Sequence, residues 1–270
     1  MAQPPQPGAT DTPILFCGAG PGDPELITVK GQRALAKADL VLYAGSLVPT
    51  GLLQWARPET KTLSSAGMHL EAIVDTMAAA WRRGERVVRL HTGDPSLYGA
   101  ICEQMRCLDR QEIPYRVIPG VTAAFAAAAS LSLEYTLPEV SQTLILTRMT
   151  GRTKVPETEA LEKLASHKAS MAIYLSLGQI ETVSAILSRA YGRDAPAVIV
   201  YKASHPEEKI VTSTCAELAA AARDNHITRT ALILAGRVLA VAPQGLATLS
   251  KLYDRDFAHG YRPAAKAEEN

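Results

Sequence analysis

Residues 86–130, RVVRLHTGDPSLYGAICEQMRCLDRQEIPYRVIPGVTAAFAAAAS, decide the fold of this chain, because they hold two strand–loop–helix turns in succession. The first turn begins with the short apolar run 87–90, which is typical of a buried strand. Turn-forming residues follow at 92–96, and a helical pattern covers 100–108. A single turn of this kind is common, so the prediction depends on its repetition.

The second turn has the same order. A strand at 115–118 ends in Pro119-Gly120, and Thr122 can cap the alanine-rich helix that follows. In an open parallel sheet, ligands bind beyond the carboxyl ends of the strands. Gly93 and Gly120 lack a β-carbon, so a ligand can approach the main chain there. Each turn by itself is also explained as an ordinary connection between a strand and a helix. A third glycine-rich loop near the N-terminus favours a nucleotide-like ligand.

That third loop, GAGPGDPELIT at 18–28, follows a strand at 14–17 and invites a dinucleotide-binding interpretation. The pattern G-x-G-x-x-G fails at Asp23, which replaces its third glycine, and Pro21 and Pro24 stiffen the loop. The next strand, 40–43, does not end in an acidic residue for a ribose. The sequence therefore disfavours a nicotinamide cofactor.

Composition places the chain among globular proteins. It has 270 residues, 47% apolar and 20% charged, with a net charge of +1, so we expect neither a nucleic-acid nor a membrane partner. Four cysteines without a CxxC pair favour reduced thiols and a cytoplasmic location. Six scattered histidines give no metal motif, so we expect no metal.

The remaining chain divides into two predicted α/β domains, at 13–136 and 137–245, with tails at 1–12 and 246–270. The first domain is expected to be mostly parallel. Hairpin-like spacing around 201–213 predicts antiparallel strands in the second. Two local expectations accompany this division: a loop begins at Thr62, and Thr214 caps a helix over 215–224.

Five segments occur in an order that resembles one family: GAGPGDPELIT at 18–28, YAGSLV at 43–48, TGDPSLYGA at 92–100, IPGVTA at 118–123 and IYLSL at 173–177. The chain resembles the tetrapyrrole methylases, class III methyltransferases that use S-adenosylmethionine (SAM). The likeness covers about 14–241. YAGSLV, the HTGDPSLYGA loop and TRMTGRTKVPETEALEKLASH at 147–167 resemble the branch that makes cobalamin precursors.

The resemblance implies a homodimeric enzyme whose two domains enclose a cleft for folded SAM and a tetrapyrrole substrate. Asp94 is the candidate catalytic residue, and the alternative is a purely structural cap at Asp94-Pro95. Leu175-Ser176 stands where the family often has Met-Gly. The implied cofactor contacts are Pro21, Thr92, Gly93, Asp94, Leu97, Thr122, Ala123, Leu175, Ala203, Thr230 and Ala231.

A tetrapyrrole of this class carries many carboxylates, so basic side chains are expected around it. Arg148, Arg152 and Lys154 share one loop and form the best group. Tyr43 and Ser46 are expected to line the tetrapyrrole-binding site. Further candidates are Arg89 and Arg229 for carboxylates, and His91 and Tyr98 for proton movement, although each is also explained as a packing or surface residue.

Alternatives remain open at this point. Relatives of the fold methylate the ribose of ribosomal RNA, but that activity predicts a basic surface, which a net charge of +1 does not support. A protein that stores a tetrapyrrole would bind it without SAM. Within the methylase interpretation, the sequence does not distinguish a metal-free substrate from one that carries cobalt.

Overall fold

A computed structural model describes residues 12–45, 48, 50–241 and 250–263, which form parts of two compact units. Unit 1 comprises Met1–Ala126 with Lys202–Glu207, and unit 2 comprises Ala127–Tyr201 with Glu208–Asn270. Most of the predicted N-terminal tail and part of the predicted C-terminal tail lie outside the described residues. The domain boundaries at 13–136 and 137–245 stay a prediction.

Unit 1 is built on a five-stranded sheet with the order β3-β2-β4-β1-β5, in which every neighbouring pair is parallel. Four α-helices of the described residues accompany it, and the unit boundary falls within the last of them. The strands are β1 (Ile14–Gly18), β2 (Leu40–Tyr43), β3 (Lys61–Ser64), β4 (Val87–His91) and β5 (Tyr115–Ile118). The helices are α1 (Val29–Leu35), α2 (Leu70–Arg82), α3 (Ile101–Asp109) and α4 (Ala123–Ser130).

Apolar side chains cover both faces of this sheet, as a buried parallel sheet requires. Successive residues of a strand point to opposite faces. Accordingly, Phe16 and Leu42 join one buried cluster, whereas Cys17 and Val41 join another. The first cluster includes Met77 of α2. The predicted α/β class and parallel first sheet are therefore confirmed.

Unit 2 contains a mixed sheet with the order β6-β7-β10-β8-β9. Among the strands of its described residues, only β6 and β7 pair in parallel; β10 is antiparallel to β7 and β8, and β8 is antiparallel to β9. The strands are β6 (Leu144–Arg148), β7 (Ser170–Tyr174), β8 (Pro196–Tyr201), β9 (Lys209–Thr214) and β10 (Ala231–Ala235). The helices are α5 (Leu161–Ser166), α6 (Ile180–Tyr191) and α7 (Leu218–Asp224). The predicted antiparallel hairpin is present.

Two local expectations are wrong. Residues 61–64 form the edge strand β3 instead of opening a loop, because their main chain pairs with β2 even though the segment is largely exposed. Thr214 does not cap a helix: it is the last residue of β9 and pairs with Pro196, and α7 begins only at Leu218. In both places, strand pairing decided the conformation over the local turn and cap signals.

Strand β4 places two polar side chains in the core of unit 1. Arg89 and His91 are each 4% exposed. The His91 ring lies 6.0 Å from the Phe16 ring, measured between centroids, and its Nε2 has no hydrogen-bond partner among the described residues. Burial, with the positive charge of Arg89, lowers the pKa of His91 to about 3. His91 is therefore a neutral core residue at physiological pH.

Asp39 joins the amino ends of three strands. It lies just before β2, and its carboxylate accepts from Arg86, just before β4, through Nε at 3.0 Å and the main-chain N at 2.9 Å. Arg57, in the segment that leads to β3, donates from Nη2 at 2.8 Å. Hydrogen bonds from Arg86, and then from Arg57, hold the pKa of Asp39 well below its ordinary value.

We expect Asp39→Asn to lower the free energy of unfolding by about 1 kcal/mol, because the carboxylate is about one-third exposed and solvent weakens its ion pairs. A depressed pKa stabilises the fold above the unfolded value and loses that contribution as the pH falls through the folded one. The difference between wild type and variant should thus persist at pH 5 and shrink progressively as the pH falls below about 4. Urea melts across pH measure both effects.

Glu181→Gln is the matched control, because it removes an exposed ion pair, with Arg223 at 3.3 Å, that joins no strands. It should change the free energy of unfolding by less than about 0.5 kcal/mol. An equal loss in the two variants would contradict a special role for Asp39.

Candidate functional site

Three loops meet at the carboxyl edge of the unit 1 sheet, after β1, β4 and β5. The loop after β1 pairs with the loop after β4: Gly93 N donates to Gly20 O at 2.7 Å, and Gly20 N donates to Gly93 O at 3.3 Å. Ala19 N donates to His91 O at 2.7 Å. These bonds extend the sheet by a short antiparallel bridge and hold two of the predicted cofactor loops together.

Glycine is required where the three backbones touch. A β-carbon on Gly120 would overlap Gly93 O, and one on Gly18 would overlap the Gly120 backbone. Gly93 itself has φ +61°, a conformation that favours glycine. The structure therefore explains these glycines by loop–loop packing. Approach of a ligand to the same backbone stays a prediction.

Asp94 connects the loops after β4 and β5 through both of its carboxylate oxygens. Oδ1 accepts from Ser96 N at 2.7 Å, and Oδ2 accepts from Gly120 N at 2.8 Å. The first bond closes a turn that precedes α3 by several residues, so Asp94 does not cap α3 itself. Both oxygens are engaged with the main chain, and this favours a supporting role in the site over direct proton transfer.

The other predicted residues of unit 1 lie on or beside these loops. Pro21, Thr122 and Ala203 are buried, whereas Thr92, Leu97 and Ala123 are partly exposed. Thr122 immediately precedes α4, and its carbonyl accepts from Phe125 N at 3.1 Å. Tyr43, at the end of β2, is partly exposed, and Ser46 lies outside the described residues.

Ser204 and His205 are neighbours of the first loop that the sequence did not reveal. Ser204 Oγ accepts from Asp23 N at 3.0 Å, and the His205 ring packs so closely on Gly22 that a β-carbon there would overlap it. Lys202 and Ser204, on either side of Ala203, have φ values of +46° and +63°. No signal in the sequence shows this turn, since neither residue is the glycine that such a conformation favours.

The predicted residues of unit 2 share one edge of its sheet. Tyr174 pairs with Arg148, and β10 runs antiparallel to β7, so Ala231 starts beside the end of β7. Leu175, which follows β7, is 70% exposed with φ +52°, and Thr230 has φ +55°. An exposed leucine in a left-handed conformation is costly for the free protein, as is typical of ligand-binding segments.

Arg148 donates hydrogen bonds to its own loop, residues 148–154, which we call the basic loop because it also carries Arg152 and Lys154. Its Nη1 donates to Met149 O at 3.1 Å and to Thr153 O at 3.2 Å, and its Nη2 donates to Lys154 O at 3.4 Å. Arg152 and Lys154 are exposed. The guanidinium of Arg148 is thus engaged by the loop carbonyls, whereas Arg152 and Lys154 face solvent.

Ser176 is a third residue whose role the sequence did not reveal. It is 1% exposed, and its Oγ accepts from Met149 N at 2.8 Å and donates to Tyr174 O at 2.7 Å. It therefore joins the basic loop to the turn that carries Leu175. The departure from the family pattern at 175–176 was the one signal available for it.

The remaining candidates differ in exposure. The predicted proton-transfer residue His91 is buried and neutral, and Arg89 is buried among uncharged acceptors. Tyr98 and Arg229 are exposed. Within the described residues, no group of three or more His, Cys, Asp or Glu side chains is arranged to hold a metal ion. No helix of the described chain has the length and apolar content needed to cross a bilayer.

Two enzymes of known name are similar in sequence to nearly the whole chain. The chain is 49% identical over 256 residues to a cobalt-precorrin-4 C(11)-methyltransferase of Priestia megaterium, covering 94% of this chain and 99% of that protein. It is 48% identical over 250 residues to a precorrin-4 C(11)-methyltransferase of Pseudomonas aeruginosa, covering 93% and 98%.

Solved structures of tetrapyrrole methyltransferases are also similar to this chain. The X-ray structure of a cobalt precorrin-4 methyltransferase superposes with a TM-score of 0.81 at 50% identity, over 84% of this chain and 95% of the other. Uroporphyrin-III C-methyltransferase from Thermus thermophilus, in complex with S-adenosyl homocysteine, gives 0.67 at 26% identity, over 84% and 93%. The sequence profile of the tetrapyrrole (corrin/porphyrin) methylases matches residues 13–219. The chain therefore belongs to the tetrapyrrole (corrin/porphyrin) methylases.

Proposed function

We propose that this protein transfers the methyl group of SAM to C11 of precorrin-4, giving precorrin-5 in cobalamin biosynthesis. The observation that carries the proposal is the 48–49% identity, over more than nine-tenths of the chain, with proteins named precorrin-4 or cobalt-precorrin-4 C(11)-methyltransferase. The bound S-adenosyl homocysteine of the Thermus relative supports SAM as the methyl donor.

The proposed cofactor residues of unit 1 suit a positively charged donor that loses its charge as it reacts. SAM supplies an activated methyl group, whose bond to sulfur breaks as the bond to C11 forms. Around the three loops, Gly93, Leu97, Ala123 and Ala203 are small or apolar. The carboxylates of Asp23 and Asp94 are engaged by main-chain N–H groups. A site of low polarity favours loss of charge in the transition state.

The chain's own contribution is then chiefly to bind and align. Holding two reactants in a reactive geometry is worth up to about 7–11 kcal/mol. The bonds between Gly20 and Gly93 and the bond from Gly120 N to Asp94 supply such rigidity. In unit 2, we assign Leu175, Thr230 and Ala231 to the cofactor. No residue is needed as a nucleophile, because the donor is already activated.

The substrate side is proposed on charge. Arg152 and Lys154 are exposed cations on a loop that Arg148 holds in shape, and they suit the carboxylates of a tetrapyrrole. Tyr43, at the end of β2, provides an aromatic surface for the macrocycle. In this proposal Arg148 holds the loop in shape, and Arg152 and Lys154 contact the substrate.

Methyl transfer is tested directly by incubating the protein with SAM and either metal-free precorrin-4 or cobalt-precorrin-4. We expect the substrate mass to rise by one methyl group, with an equal amount of S-adenosylhomocysteine, as measured by mass spectrometry. The metal-free substrate is expected to turn over faster. Preference for the cobalt form would correct the substrate assignment, and tetrapyrrole binding without methylation would contradict the enzyme proposal.

Asp94→Ala tests whether the carboxylate that joins two loops supports SAM binding. Loss of two main-chain partners should loosen both loops, so we expect the Kd for SAM to rise about tenfold, measured by calorimetry. Asp254→Ala is the matched control, because Asp254 also accepts from the main-chain N two residues ahead, at 2.9 Å, but lies in the C-terminal segment. An unchanged Kd in a folded Asp94→Ala protein would leave Asp94 a structural role alone.

We also propose that the protein is a cytoplasmic homodimer. The family resemblance supports the dimer, as do two exposed apolar side chains, Val117 on the edge strand β5 and Phe125 on α4, which are 37% and 54% exposed. The four cysteines are free, and burial raises the pKa of the Cys215 thiol to about 11, which suits a reducing compartment. Light scattering should give twice the chain mass of 28.9 kDa, and a single-chain mass would refute the dimer.

A further inference from the structure

A chain of hydrogen bonds crosses the unit 1 sheet near its carboxyl edge, with Arg89 of β4 at its centre. Arg89 Nε donates to Gln104 Oε1 at 3.1 Å. Its Nη1 donates to Ser65 Oγ at 3.0 Å and to Leu42 O at 3.3 Å. Because the guanidinium is planar and carries donors on several sides, it can bond to groups on both sides of its strand at once.

One arm of this network reaches the loop after β4. Gln104 is 4% exposed, and its Nε2 donates to Ala100 O at 3.0 Å. Ala100 and Tyr98 have φ values of +48° and +58°, and a β-carbon on Gly99 between them would overlap Pro95 O. The network therefore holds the end of a strained loop whose beginning carries Gly93 and Asp94.

The other arm reaches the end of β2. Ser65 Oγ donates to Tyr43 O at 3.1 Å, and Ser65 N donates to the same oxygen at 2.8 Å. Arg89 also bonds to Leu42 O, one residue earlier. The proposed function assigns Tyr43 to the substrate side. Hydrogen bonds from Ser65 and Arg89 thus fix the main chain at Leu42 and Tyr43.

The charge of Arg89 makes this arrangement unusual. The residue is 4% exposed and forms no ion pair with any carboxylate of the described chain, and burial lowers its pKa to about 10. A buried charge without a counter-charge is expensive, and apolar residues of similar size commonly stabilise such a position better. Stability alone therefore does not account for an arginine here.

We propose that Arg89 is a positioning residue that sets the spacing between the loop at 92–100 and the strand end at Tyr43. This inference rests on the proposed function, in which the loop holds the methyl donor and Tyr43 lies beside the acceptor. Arg89 touches neither reactant and moves no proton. It acts through Gln104 on one side and through Ser65 on the other.

Variants that remove one arm at a time test the proposal. Gln104→Met should raise the Kd for SAM about threefold to tenfold and leave the KM for the tetrapyrrole within about twofold. Ser65→Ala should have the opposite pattern, with a higher KM for the tetrapyrrole and an unchanged Kd for SAM. Arg89→Lys keeps the charge but loses the two-sided geometry, so it should raise both and lower kcat.

Ser184→Ala is the matched control, because it removes a buried serine bond, from Oγ to Cys215 O at 2.6 Å, in unit 2. It should lower Tm without changing either binding constant. If Gln104→Met and Ser65→Ala also lower Tm alone, or if both change the two constants by one common factor, the positioning role is refuted.

Hydrogen–deuterium exchange of the ligand-free protein separates this test from that of the proposed function. Arg89→Lys should speed exchange in peptides that cover 92–100 and 62–66, whereas Gln104→Met should affect only the first and Ser65→Ala only the second. Exchange unchanged in both peptides of Arg89→Lys would overturn the proposal, whatever substrate the protein uses. A wild type that methylates no tetrapyrrole would instead refute the proposed function.

Discussion

At the carboxyl edge of the unit 1 sheet, the backbones of three loops approach so closely that no β-carbon fits on Gly18 or Gly120. Main-chain bonds between Gly20 and Gly93 fix two of the loops, and Asp94 fixes the third by accepting from Gly120 N. The parallel sheet below brings these loop ends to one edge, since all its strands point the same way. The proposed cofactor contacts on these three loops depend on this close approach of their backbones.

Much of the fold could be predicted from the sequence because its strands are short apolar runs between strong turn formers. The run at 115–118 matches β5 in both bounds, and the spacing near Tyr201 correctly indicated a hairpin. The failures at 61–64 and Thr214 have a common cause. A polar edge segment and a serine- and threonine-rich strand end carry no apolar pattern, so only their pairing with a neighbouring strand shows what they are.

The candidate site was predictable in its loops but not in the roles of individual side chains. Short motifs in a fixed order pointed to the loops that carry Pro21, Gly93 and Ala123. Hydrogen-bond partners, however, come from residues far apart in the chain, as between Asp94 and Gly120 or between Ser204 and Asp23. The same holds for Arg148, whose guanidinium donates to carbonyls of its own loop, a contact that its sequence position does not indicate.

The self-contained loop of Arg148 has a kinetic consequence. The conformational entropy of this loop is lost during folding, so the proposed polyanionic substrate would not have to order the loop before meeting the exposed cations at 152 and 154. Encounter is then governed by long-range attraction, which dissolved salt screens over about 8–10 Å at cellular ionic strength. Association of a carboxylate-rich ligand would consequently slow as salt is added, while its rate of departure, set by short-range contacts, would change far less.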